Sequence, residues 1–410
     1  MCLYLCGRRK EEKDISTKKS LSADKLRDLM VMISDIYAVD EVPLHRPVFV
    51  GNERSYLLAC IESNFVSSVG ARVTELENRL GIFTGAKRAT STVNGTAALH
   101  IALKLAGVVP GDEVITQALT FVATCNAISY AGARPVFVDA DEDTLGMSPD
   151  ALRLWLETET VREAGQTLNR RTGARIAACV PMHTFGLPCR IAAIAGVCAE
   201  FSIPLVEDAA ESLGSYVNGQ HTGTFGLLST LSFNGNKIIT TGGGGMILTN
   251  DDALADRAKH LTTTAKVPHS WEFEHDEIGY NYRMPNLNAA LGCAQMEILT
   301  EVLSIKAEVA DRYRSFCNDH KVHFIDAIKG TTANFWLNAV RLSDRSERDE
   351  FLNYTNSKGV MTRPIWRLMS ELRPFESCQH DGLAVSRWLV DRVVNLPSSV
   401  PESEFHRLES

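Results

Sequence analysis

From Gly70 onward, short apolar runs alternate with amphipathic stretches of about 10–15 residues, and this alternation limits the possible folds more tightly than any other feature of the chain. ATSTVNGTAALHIALKLAGV reads as a strand end, a turn at Asn94-Gly95 and an amphipathic helix. GDEVITQALT follows as a strand and TFVATCNAISYAG as a helix. ARPVFVDAD is a strand that ends in acid, RIAACVPMHTFG is another strand, and IAAIAGVCAEF is the helix after it. IPLVEDAAES is a strand running into a turn, and STLSFNGNKIITTGGGGMILTN holds two short strands around a polar, glycine-rich loop. Strands separated by helices of this length predict βαβ units, hence an α/β protein with a largely parallel sheet.

The flanks differ in texture. Leu26, Leu29, Met30, Ile33 and Tyr37 recur at helical spacing, which predicts a helix from Leu21 to Tyr37 with Ser22 as its cap. Residues 1–20 are polar and mixed in charge and read as a frayed leader. NERSYLLACIESNFV predicts a short helix, and a long helical stretch to about Asn318 begins near Leu291. Mixed α and β text then runs to Ser410. The expected division is a leader and helix over 1–41, a large domain over 42–290 and a smaller C-terminal domain over 291–410.

Composition narrows the function classes. With 45% apolar and 22% charged residues in 410, the chain can bury a large core. Fifty acidic against 42 basic residues leave a formal charge of −8 without a basic tract, so no nucleic-acid partner is expected. No apolar run reaches the ~18 residues a membrane helix needs. Charges follow directly on MCLYLC, unlike a secretory signal, and acylation of Cys2 or Cys6 is the weaker reading. The ten cysteines include no C-x-x-C, which favours buried, reduced thiols in a cytoplasmic protein over disulfides or a metal site.

Four stretches place reactive residues at strand ends or helix starts, where parallel α/β sheets bind ligands. Asn94-Gly95-Thr96 opens a helix whose free N–H groups could cradle a phosphate, or Asn94 is an ordinary cap. Asp208 ends an apolar strand, where its carboxylate could pair with a cationic ring nitrogen or serve a helix N-terminus. Lys237 lies between Ser232 and the glycine run Gly242–Gly245, where its amine could attack a carbonyl; a surface lysine is the alternative. GYNYRMPNLNAALG reads either as an anion clamp built on Asn281, Tyr282 and Arg283 or as a packing loop. Phe121 and His183 are each either core residues or ligand contacts.

Taken in order, the turn into a helix, the aromatic, the strand-end His and Asp, and Ser-x-x-x-x-Lys with its glycine run resemble the DegT/StrS family of sugar-nucleotide aminotransferases. The likeness runs from about Val42 to about Pro401. PLHRPVFVGNERSYLLACIESNFVSSVG, SFNGNKIITTGGGGM and GYNYRMPNLNAALG suggest the branch that aminates UDP- or GDP-linked 4-keto-6-deoxy-hexosamines for bacillosamine and legionaminic acid. The resemblance implies the fold of pyridoxal phosphate (PLP) enzymes of type I. That fold has a mostly parallel, mixed seven-stranded sheet between helices and a smaller C-terminal α+β domain.

It also implies residue roles. Lys237 would carry the cofactor and move the proton, and Asp208 would pair with the pyridinium nitrogen. Glu211 would contact the phenolic oxygen, where many relatives have Gln or His. Gly95, Thr96 and Ser232 would hold the phosphate, Phe121 would stack on the ring, and His183 would sit beside the cofactor. Asn281 would reach the phosphate in the neighbouring subunit of a homodimer. L-Glutamate would be the donor and a nucleotide-linked 4-keto sugar the acceptor. Relatives with His in place of the lysine are dehydratases, so Lys237 favours transamination. A PLP-binding regulator would need a basic winged-helix module that the residues before Val42 cannot hold. An NAD-dependent dehydrogenase would need G-x-G-x-x-G after a strand, which is missing. Arg283, Arg363 and Trp366 are candidates for the donor's carboxylate. Chemically, Lys237 must be neutral to act, so burial or nearby cations are expected around it.

Overall fold

The computed structural model describes residues 21–408. The leader and the two cysteines at positions 2 and 6 lie outside the described residues. Seven strands form the main sheet: β1 (Arg88–Thr92), β2 (Glu113–Gln117), β3 (Arg134–Val138), β4 (Ile176–Val180), β5 (Val206–Asp208), β6 (Leu228–Ser232) and β7 (Gly245–Thr249). Their order is β3-β2-β4-β5-β6-β7-β1. Two stretches of continuous pairing are joined between β4 and β5 by the parallel bridges Cys179–Leu205 and Met182–Asp208. β7 alone runs antiparallel, to β6 and β1. The sheet is therefore mostly parallel and mixed, as the resemblance implies.

Alternation along the strands explains why helices cover both faces. On β2, Val114 joins the cluster beneath α4 (Gly95–Leu105) and α5 (Val122–Tyr130), whereas its neighbour Ile115 joins the opposite cluster with Trp155 and Ile191. On β7, Ile247 points to the first face, and Met246 and Leu248 point to a cluster with Leu76 and Leu299.

The chain enters through α1 (Ala23–Tyr37), α2 (Glu53–Glu62) and α3 (Ala71–Thr84). Ser22 caps α1 as expected, accepting from Lys25 N. The buried face of α1, including Ile33 and Tyr37, packs in the core of the C-terminal domain. A 35-residue helix, Asn286–His320, passes unbroken through the expected boundary at 290/291. Its first half packs on α2 and α3, while Val309, Tyr313 and Cys317 join the C-terminal core. Four short antiparallel strands complete that domain: β8 (His323–Phe324), β9 (Asn338–Arg341), β10 (Arg363–Pro364) and β11 (Val393–Leu396), in the order β8-β9-β11-β10. No helix among the described residues is long and apolar enough to cross a membrane.

Candidate active site

The carboxyl ends of β1, β5 and β6 meet at one edge of the sheet and open into a cavity of about 360 Å³. Gly95, Thr96, Phe121, Asp208, Glu211, Ser232 and Lys237 all line it, although they span 143 positions of the sequence from first to last (237 − 95 + 1). Tight backbone contacts shape its floor. A Cβ on Gly95 would stand 2.8 Å from Ser232 Cβ, and one on Gly245 would stand 2.5 Å from the carbonyl carbon of Asn94. Glycine at these positions lets the β6–β7 hairpin close on the turn that starts α4.

That turn is built to receive an anion. Asn94 Oδ1 caps α4 by accepting from Ala97 N at 2.7 Å. The N–H groups of Gly95 and Thr96, in the first turn, have no partner within the helix. No hydrogen bond occupies the Thr96 or Ser232 hydroxyl among the described residues. Two free amides, two free hydroxyls and the positive end of the helix dipole thus face one spot.

Across the cavity, Asp208 is 5% exposed at the end of β5. Its Oδ2 accepts from Thr124 Oγ1 at 2.7 Å and its Oδ1 from Ala210 N at 3.2 Å. These bonds hold the carboxylate from one side, in place for a cationic partner. Glu211 is more deeply enclosed. Burial pushes its carboxyl up to about 7, against the opposing pull of Lys237. It accepts from Phe185 N at 2.9 Å and from Lys237 Nζ at 3.3 Å. Phe185 adopts the left-handed conformation (φ 60°), which a bulky residue takes at a cost of about 1–2 kcal/mol. Its N–H is thereby turned onto Glu211.

Of the two settings expected around Lys237, burial or nearby cations, the structure has the first: its side chain is 12% exposed. The two groups touching Nζ are the Glu211 carboxylate and the face of Trp336, whose centroid is 4.1 Å away. Trp336 lies in the C-terminal domain and was not singled out from sequence. Its Nε1 donates to Asn236 O at 2.6 Å, and its backbone oxygen accepts from the buried Lys306 Nζ at 3.2 Å. Asn334 donates to Glu211 O and Leu213 O and accepts from Trp336 N, so it locks the loop after Asp208 to the tryptophan. The only sequence signal was an aromatic in NFWLN, far from the lysine along the chain.

Phe121 is half exposed at the mouth, with its ring edge-on to Trp366 at 6.2 Å. The structure does not bring His183 to the cavity. It is fully buried just past the end of β4, with Nε2 3.2 Å from Glu207 Oε2 and Nδ1 accepting from Cys189 N. Glu207 in turn accepts from the backbone N–H groups of Gly223, Phe225 and Gly226, so the pair organises a turn.

The segment around Asn281 is a packing loop within the chain. Arg283 is 8% exposed and its anion is Glu77 at 2.7 Å, which also accepts from Ser91 N and Oγ. Arg283 is thus answered within its own chain, which leaves it neither as an anion clamp nor as a site for the donor's carboxylate. Tyr282 O accepts from Val93 N, which stitches the segment to β1. Asn281 itself is left exposed, outside the cavity of its own chain.

A model of the DegT/DnrJ/EryC1/StrS aminotransferase family matches residues 49–404. The chain belongs to this family. Among relatives, GDP-perosamine synthase of Escherichia coli O157:H7 is 37% identical over 357 residues, covering 87% of this chain and 93% of that protein. A putative pyridoxal phosphate-dependent aminotransferase, EpsN of Bacillus subtilis, is 35% identical, covering 87% and 91%. The crystal structure of the aminotransferase TlmJ from Streptoalloteichus hindustanus superposes with a TM-score of 0.80 at 28% identity, covering 90% and 96%. This member of the DegT/StrS family is accordingly a PLP-dependent aminotransferase. Its cavity offers what PLP needs: free donors for a phosphate, a carboxylate for a protonated ring nitrogen, and an amine.

Proposed function

We propose that this enzyme transfers the amino group of L-glutamate to C4 of a UDP- or GDP-linked 4-keto-6-deoxy-N-acetylhexosamine, supplying an amino sugar for a bacterial surface polysaccharide or nonulosonic acid. The observation that carries the reading is the convergence of Lys237, Asp208 and the anion cradle on one cavity. The GDP-perosamine synthases among the relatives support a nucleotide-linked sugar as acceptor.

When bound, PLP supplies the electron sink for transamination. Gly95 N, Thr96 and Ser232 would hold its phosphate, and Phe121, at the mouth of the cavity, would lie against its ring. Asp208, held in place by Thr124, would pair with the protonated ring nitrogen. Glu211 donates to or accepts from the phenolic oxygen, because a carboxyl near 7 is available in either form at neutral pH. Lys237 would carry the cofactor, and its amine would move the proton to or from the donor or acceptor carbon. His183 has no contact with the cofactor in this reading and acts through the turn that Glu207 holds.

The site is completed by a second copy of the chain. Phe49, Leu58, Ile61, Phe65 and Val69 are all more than half exposed on and beside α2. Their segment is tied to the start of the long helix by Asn286 N to Ser67 O. Asn281 leads into that same helix end. An exposed apolar set of this size supports an interface, and across a two-fold contact there Asn281 would reach toward the partner's cradle. The eight described cysteines are all free thiols, which suits a cytoplasmic enzyme.

The test is a panel of keto-sugar nucleotides with glutamate, followed by NMR of the product. An amine at C4 supports the assignment, whereas a deoxygenated sugar without nitrogen overturns it in favour of dehydration. Borohydride reduction and peptide mapping should place PLP on Lys237, and Lys237→Ala should abolish both attachment and transfer.

A further inference from the structure

A second cavity, about 970 Å³, opens beside the lysine cleft in the C-terminal domain. The two share Asn236, Trp336 and Trp366 as a common wall. Five arginines line the larger one: Arg345, Arg348, Arg363, Arg367 and Arg387. The acids in its lining are Glu371 and Asp391, so five cations against two anions leave three formal positive charges. The whole chain, by contrast, carries −8.

These cations are loosely answered. Arg367 meets Glu371 at 3.7 Å, and Arg345 reaches Asp391 at 3.8 Å and Asp349 at 3.9 Å. Only Arg348 is in a close pair, with Asp349 at 2.6 Å. Arg363 donates to Asn356 Oδ1 and Thr362 O, and Arg387 donates to Gly382 O; neither has a carboxylate partner among the described residues. A guanidinium has five N–H donors, so both keep donors free for a ligand. They come from separate elements: Arg363 from β10, Arg387 from the helix Ala384–Val390, and Arg345 and Arg348 from the helix Arg345–Ser357. Like charges that converge from three elements repel one another unless an anion enters.

We propose that this groove binds the diphosphate of the acceptor, which keeps the nucleotide in the C-terminal domain while the sugar reaches Lys237 past Trp366. The inference rests on the reading of the acceptor as a nucleotide-linked sugar. Glutamate is the poorer occupant. None of the five arginines lines the lysine cleft, where the donor's amine must react, and the groove far exceeds an amino acid in size. Guanidinium groups bind phosphate oxygens through paired hydrogen bonds, which suits two adjacent phosphates.

The experiment uses the PLP-loaded enzyme and isothermal titration with GDP, UDP and inorganic pyrophosphate, each alone. Wild type should bind at least one nucleotide more tightly than pyrophosphate. Arg363→Gln and Arg387→Gln should each weaken that nucleotide by about tenfold, and the double variant by more. Asp391→Asn, which removes a negative charge from the lining, should tighten it. Both arginines are exposed, so the fold should survive, and circular dichroism will confirm this. Equal affinity for pyrophosphate and both nucleotides overturns the nucleotide assignment. Unchanged nucleotide affinity in the double variant overturns the groove. So does a loss that falls instead on the spectral response to glutamate. If wild type shows no spectral response to glutamate at all, the aminotransferase reading itself has failed, and the two failures are told apart.

Discussion

Asp208 and Glu211 are three residues apart, yet their surroundings assign them different chemistry. Asp208 accepts two hydrogen bonds at the rim of the cavity, whereas Glu211 is enclosed and its carboxyl is held near 7. Asp208→Asn should keep PLP bound but lower turnover by several orders of magnitude, because a neutral amide no longer holds the ring proton; each tenfold corresponds to ~1.4 kcal/mol. A kcat within tenfold of wild type would count against the role. For Glu211 the folded value lies above the ordinary carboxylate range, so the folded state binds the proton more tightly. Its contribution to stability is then complete below about 4.5 and declines as pH rises toward 7. In the PLP-free protein Glu211→Gln, which mimics the protonated form, should gain on wild type by up to roughly 3 kcal/mol between pH 5 and 8. Urea unfolding at both ends of that range measures this; parallel curves for the two proteins would refute it.

At the scale of elements, the cradle depends on how closely the hairpin after β6 approaches the start of α4. A Cβ at Gly245 would press on the Asn94 backbone at 2.5 Å, whereas one at Gly243 would make only an ordinary contact, 3.7 Å from Val93 O. Gly245→Ala should therefore cost about 1–3 kcal/mol and weaken PLP binding at least tenfold by displacing Gly95 and Thr96. Gly243→Ala should leave stability within about 0.5 kcal/mol of wild type. Thermal unfolding with and without PLP, together with PLP titration, compares the two; equal effects would show that the approach of the hairpin does not shape the cradle. The glycine run was visible in the sequence, but which of its members touches backbone was not, because that depends on the register of β7 with β1 and β6.

For the whole molecule, the open question is whether one chain makes a complete site. The exposed apolar set around α2 and the exposed Asn281 both argue that it does not. An obligate two-fold interface of this kind buries roughly 2,000 Å² or more. Lys237→Ala and Asn281→Ala, each impaired alone, should partly restore activity when unfolded and refolded together, since a mixed dimer rebuilds one intact site of two. Mixed dimers without rescue would exclude Asn281 from the partner's site. Full activity in a species that sediments as a monomer at micromolar concentration would remove the shared site altogether.

Strand and helix order, the carboxylate at the end of β5 and the lysine in its glycine-bracketed loop were legible in the sequence. Each is a local pattern: apolar periodicity, turn residues, a charge at a strand end. His183 and Arg283 show where such reading stops. Each left two readings open, a ligand contact or a packed residue, but His183 is satisfied by Glu207 and Cys189 N, and Arg283 by Glu77, a partner more than two hundred positions away. Trp336 shows the converse, since nothing near it in the chain marks it as the ring beneath Lys237. Whether a polar side chain is free for a ligand depends on which distant groups reach it first. Tertiary packing decides that, because a buried charge must find its partner wherever the chain brings one.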